Sequence, residues 1–162
     1  KFNSAAAQYN LAVTYIKMNE LKKAEAALAK CEKDADYNNA MGVIALRNGD
    51  LNTAAEYFAL AGNKTAMKNA AVIDILDGAY GAAAAKLAGE TDCNAILAQI
   101  LTGNYANVDK LSCKCAKSYY VRAIAAARQG DAAGVRANLD KACKNEKLAE
   151  RAARDVEFAQ YR

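Results

Sequence analysis

The chain has 162 residues, 54% hydrophobic and 25% charged, and contains no proline, tryptophan or histidine. The absence of histidine excludes Ser-His-Asp and Cys-His nucleophiles and the usual zinc sites, and the absence of proline removes the commonest helix breaker, so an alanine-rich, all-α chain is expected. The net charge of +4 is uneven: residues 1–80 carry nine basic and nine acidic side chains, residues 81–162 thirteen and nine, an excess far below that of a dedicated nucleic-acid domain.

In chain order, a first helical hairpin is predicted over about 4–33. Tyr9, Ala12, Tyr15 and Ile16 mark its first helix, Asn19-Glu20-Leu21 its turn, and Ala24, Leu28 and Cys31 the apolar side of its second helix. The second hairpin, 37–62, is the clearest. Met41, Ala45 and Leu46 stand at helical spacing, Asn48-Gly49 can take the left-handed conformation that ends a helix, and Asp50 is placed to cap the next one. Ala54, Phe58 and Ala61 then share one face, and Gly42 and Ala54 are small where the paired helices meet. A third hairpin spans 65–90, its turn at Asp77-Gly78-Ala79-Tyr80 followed by Ala83 and Leu87. A fourth, 91–116, turns at Thr102-Gly103-Asn104-Tyr105, with Val108 and Leu111 as weaker echoes of the two core positions. A fifth, 117–144, has Ala123, the turn Gln129-Gly130-Asp131, then Val135, Leu139 and Ala142. The turns recur at offsets of 30, 29, 25 and 27 residues. A single amphipathic helix over 146–161, with Leu148, Ala152, Val156 and Phe158-Ala159 on one side, is expected to cap the last hairpin.

Gly42, then Gly49-Asp50-Leu51, then Ala54, Phe58 and Ala61 resemble a tetratricopeptide repeat in order and spacing, without the family's closing proline. The resemblance implies an all-α, right-handed α-solenoid of stacked antiparallel hairpins forming one domain over 1–162, closed by a C-terminal capping helix. It further implies a non-enzymatic interaction scaffold that binds a peptide or partner protein along a concave face lined by first helices. Carried onto this chain, the groove positions are Tyr9, Val13, Ile16 and Lys17 in the first hairpin and Asn39, Val43 and Arg47 in the second. The third supplies Lys68, Val72 and Ile75; Leu97, Tyr120, Ile124 and Arg128 continue the row. The family's carboxylate clamp is not matched, because Val13 and Val43 stand where asparagines are wanted.

No Gly-rich phosphate loop follows a strand, and neither cofactor nor metal is expected. The window from Lys110 to Arg128 contains Lys110, Lys114, Lys117, Arg122 and Arg128 without an acid, with Tyr119 and Tyr120 inside it. The alternative functional reading is anion or RNA binding through this basic patch; the competing reading is a solvated rim. Cys31 and Cys143 are read as small apolar residues of second helices. Cys113 and Cys115, two apart on a helix, are expected to point in different directions, though the neighbouring lysines make a reactive thiol a third reading. The odd, irregular cysteine set points to a reducing, cytoplasmic compartment. If the protein is instead exported, periplasmic or secreted, Cys93 with Cys113 or Cys115 is the expected bridge. No apolar run approaches the roughly 20 residues of a membrane helix. The chain opens at Lys1 without methionine, and a continuation of the array upstream is expected.

Overall fold

The structure, a computed structural model, describes residues 4–111 and 113–162. It is helical, with no strand among the described residues, and its helices pack in neighbouring pairs. No helix of the described residues is long and apolar enough to cross a membrane. Two compact units divide the chain, Lys1–Gly78 and Ala79–Arg162.

The first unit holds α1 (Ala5–Lys17), α2 (Leu21–Leu28), α3 (Ala35–Arg47), α4 (Leu51–Ala61) and α5 (Lys64–Leu76). Four of its helix starts are set by short polar side chains that accept from amides left free in the first turn. Ser4 caps α1 at the Ala7 amide, Asp34 caps α3 at Tyr37, Asp50 caps α4 at Thr53, and Asn63 caps α5 at Ala66. The Thr53 bonds hold the Asp50 carboxyl below its ordinary pKa. The second hairpin packs most intimately at Gly42, where a Cβ would stand 2.5 Å from Phe58 Cε1. One core forms from Ala12, Ile16, Ala24, Leu28, Ala40 and Ile44, and a second from Ala45, Ala54, Phe58, Ala61, Ala66 and Ile73. Cys31 lies just past the end of α2 rather than within it, half-buried against the first of these cores.

The second unit holds α6 (Tyr80–Lys86), α7 (Cys93–Leu101), a 3-10 turn (Val108–Lys110), α8 (Ala116–Arg128), α9 (Ala132–Ala142), α10 (Glu146–Ala152) and a second 3-10 segment (Val156–Tyr161). Its core gathers Ile96, Ile100, Leu111, Tyr120, Ile124, Val135 and Phe158. The boundary at Gly78 falls inside the predicted third hairpin, so α5 packs with α3 and α4 while α6 packs with α7.

All five predicted corners are present. Asn19, Gly49, Gly78, Gly103 and Gly130 each have positive φ, from 60° to 84°. At Gly49, φ of 83° is a backbone position that disfavours any residue with a Cβ. Two expectations fail. The fourth hairpin lacks its second α-helix: only the 3-10 turn forms, because local side-chain bonds take over. Asn104 Oδ1 accepts from the Ala106 amide, and Asn107 Nδ2 donates to Gln99 Oε1 at 2.8 Å. The predicted cap helix over 146–161 is broken at Ala153–Asp155. Asp155 starts the 3-10 segment by accepting from the Glu157 amide, which turns Phe158 into the core and leaves Val156 83% exposed.

Candidate functional site

Within the first unit, α1, α3 and α5 lie side by side in that order. Residues one repeat apart bond across the row. The Arg47 guanidinium donates to the Ile16 carbonyl, and Asn69 Nδ2 donates to Asn39 Oδ1 at 2.9 Å. Of the predicted groove residues, Lys17 and Arg47 are exposed, and Tyr9, Val13, Asn39, Val43, Lys68, Val72 and Ile75 are half-buried. Ile16 is a correction: at 7% exposure it belongs to the core and presents only its carbonyl to the row. The row has an electrical direction. Asp34 and Asp36 lie near Tyr9, whose phenol pKa is pushed up by burial and then by these carboxylates, while Lys17 and Arg47 mark the opposite helix ends.

In the second unit the corresponding positions on α8 are covered by the chain itself. Tyr120 and Ile124, predicted as groove-lining, are 4% and 5% exposed. The segment from Asp155 to Arg162 lies against them. Tyr120 donates its hydroxyl proton to Asp155 Oδ2 at 2.7 Å, and its ring meets Phe158 edge-on, centroids 5.5 Å apart. Arg128 Nε lies 3.0 Å from both carboxylate oxygens of Glu157, a paired geometry suited to a guanidinium. Tyr161 donates to the Ala127 carbonyl at 2.8 Å. Burial, and next the bond to Asp155, push the Tyr120 phenol pKa strongly upward. Leu97 is half-buried against the same core. The sequence does contain the signal for this contact, the run Asp155-Val156-Glu157-Phe158-Ala159-Gln160-Tyr161, but a single-helix reading spreads those side chains around a cylinder.

The basic patch is not one surface. Lys110, Lys114 and Lys117 are exposed near the start of α8, whereas Arg128 ends it, about 20 Å away at 1.5 Å per residue. Arg122 is turned inward, donating to the Leu111 carbonyl at 2.6 Å. What the structure adds is Lys141 and Lys144, which join Lys114, Ala116, Tyr119 and Asn145 around an open recess of about 550 Å³. The Lys141 ammonium lies 5.1 Å from the Tyr119 ring centre, a cation–π contact. Sequence spacing misses this grouping, because the two lysines come from the end of α9 and the residues beyond it.

The cysteines also depart from expectation. Cys113 and Cys115 precede α8 rather than ride on a helix, and a disulfide joins them to each other, not to Cys93. Cys31, Cys93 and Cys143 are free and half-buried. Burial raises the pKa of the Cys93 thiol, Asp92 adds to the rise, and Lys117 and Arg122 oppose it. Among the described residues no three of His, Cys, Asp and Glu converge to hold a metal ion. No protein-family model, no curated protein and no solved structure matches this chain.

Proposed function

We propose that this chain is a protein-interaction module whose first unit takes an acidic and aromatic segment of a partner protein across α1, α3 and α5. In this reading the helix pairs of that unit are tetratricopeptide-like and wound right-handed, and binding rather than catalysis is the unit's work. One observation carries it. On α8, which occupies the same place in its hairpin as α1 and α3 do in theirs, the groove positions Tyr120, Ile124 and Arg128 hold such a segment, the chain's own Asp155–Tyr161. Arg128 grips Glu157 there. Lys17 and Arg47 stand at the corresponding last position of α1 and α3; the Lys17 ammonium, and the Arg47 N–H groups not given to the Ile16 carbonyl, offer a carboxylate contact, while Val13, Val43 and Val72 provide an apolar floor. Anion or RNA binding through residues 110–128 has weaker support, because Arg122 and Arg128 are engaged inside the second unit.

The test is fluorescence anisotropy of a labelled peptide of pattern Asp-x-Glu-Phe-x-x-Tyr against the full chain. Saturable binding is expected. Lys17→Glu and Arg47→Glu should each weaken it about tenfold, roughly 1.4 kcal/mol, with the far-UV helical signal unchanged. No saturable binding, or binding by both variants as tight as that of the unaltered chain, ends the proposal.

A further inference from the structure

Ser118 is the buried polar side chain of the described residues, at 0% exposure. Its hydroxyl lies against two carbonyl oxygens, those of Cys113 and Cys115. Arg122 reinforces the arrangement, reaching Ser118 Oγ and the Leu111 carbonyl. A buried hydroxyl and a half-buried guanidinium are thus committed to holding Cys113-Lys114-Cys115 at the entrance to α8, with both cysteines on the surface and joined by their disulfide. The bridge links residues only two apart. It restrains the unfolded chain less than any bridge between separate elements, so stapling the fold is not its use. Exposure and a cationic setting are instead the features of disulfides that exchange.

We propose that Cys113–Cys115 is a thiol–disulfide exchange centre that oxidises dithiols carried on acidic peptides or proteins. The proposal goes beyond the binding reading and does not depend on it. Cys115 occupies the N-cap of α8, a helix of 13 residues, where the positive end of the helix and the flanking Lys114 and Lys117 favour a thiolate. Cys115 is therefore the better leaving group, and the incoming thiolate attacks Cys113 Sγ. The new sulfur–sulfur bond forms as the Cys113–Cys115 bond breaks, its electron pair departing on Cys115. The substrate's second thiolate then attacks its own sulfur in the mixed disulfide and expels Cys113. The Cys115 amide, 3.1 Å from Cys113 Sγ, is placed to donate to that thiolate. Two electrons and two protons pass from the substrate dithiol, which leaves as a disulfide, to the cysteine pair. A small disulfide such as oxidised glutathione, itself reduced to two thiols, restores the bridge.

The substrate class follows from the recess beside the bridge. Lys114, Lys141 and Lys144 line it with Tyr119 and Asn145, and among the described residues no acidic side chain is in its walls. Two model dithiol peptides, one flanked by glutamates and one by lysines, distinguish the outcomes when mixed with the oxidised full chain at low salt and followed by mass spectrometry of the peptide's disulfide form. The acidic peptide should be oxidised about tenfold faster than the basic one. The double variant Lys141→Gln/Lys144→Gln should abolish that preference. Cys113→Ser and Cys115→Ser should each abolish turnover. The proposal is overturned if oxidation is no faster than with the serine variants, if the bridge survives a hundredfold excess of dithiol, or if the two peptides react equally.

Discussion

Gly42 shows how much one missing methyl group can decide. Its backbone lies under the Phe58 ring, and both residues are buried. Replacing it with alanine drives a Cβ to 2.5 Å from a ring carbon, well inside van der Waals contact, so Phe58 or the α3–α4 spacing must shift. Overpacking of this kind costs about 1–3 kcal/mol. Gly42→Ala is expected to lower the thermal midpoint measured by circular dichroism, and an unchanged midpoint would mean that the ring moves aside freely. This residue was legible in advance, because a glycine facing Ala54 and Phe58 across a predicted hairpin has few roles other than close approach. The cap at Asp50 was legible for a related reason, because it acts on an amide three positions along its own chain; Asp34 and Asn63 cap in the same way and went unread. Lys141 and Lys144 were not, since nothing in their spacing connects them to Lys114.

At the scale of the element, the C-terminal segment departs furthest from its pattern. Residues 146–161 have the amphipathic spacing of one helix, yet the chain breaks so that Asp155, Phe158 and Tyr161 reach α8 together. Helix propensity is a matter of tenths of a kcal/mol per residue. It yields to a carboxylate–phenol bond and a buried aromatic edge contact that join residues more than thirty positions apart. The Tyr120–Asp155 bond gives the docking a pH dependence. Because the folded-state pKa of Tyr120 is raised above its ordinary 10.0, the bond's contribution is complete below pH 10 and is lost as pH rises above that value, where the unfolded phenol ionises first. Tyr120→Phe should cost about 2 kcal/mol at pH 7, the range for a hydrogen bond to a charged group. It should also remove part of the alkaline loss of stability; a denaturation midpoint with the same pH slope as wild type above pH 10 would contradict this. The fourth hairpin departs for a local reason, since Asn104 and Asn107 bond to Ala106 and Gln99 and turn a stretch of helical spacing into a 3-10 turn.

On the scale of the whole molecule, the excess of positive charge belongs to the second unit alone, since residues 79–162 carry thirteen basic and nine acidic side chains. Even there it is dispersed. Arg128 answers Glu157, Arg122 faces inward, and exposed lysines collect at the start of α8 and around the end of α9. Binding that rests on few phosphate contacts has a shallow salt slope but is weak from the outset. Retention on an immobilised oligonucleotide is therefore expected to be gone by about 0.15 M salt, and persistent retention there with a steep salt slope would restore an RNA-binding role. The all-helical class and the five corners could be read from composition and turn residues. The division at Gly78 could not, because the third hairpin is spaced like its neighbours and only packing assigns its two helices to different units.

The unequal distances between corners bear on how such a gene can change. In the first unit, partners that bond across the row stand 30 and 31 positions apart, close to the corner interval there, so recombination that adds or drops one such block restores equivalent partners at the junction. Beyond Gly78 the intervals of 25 and 27 share no common length, and the same event would bring mismatched faces together.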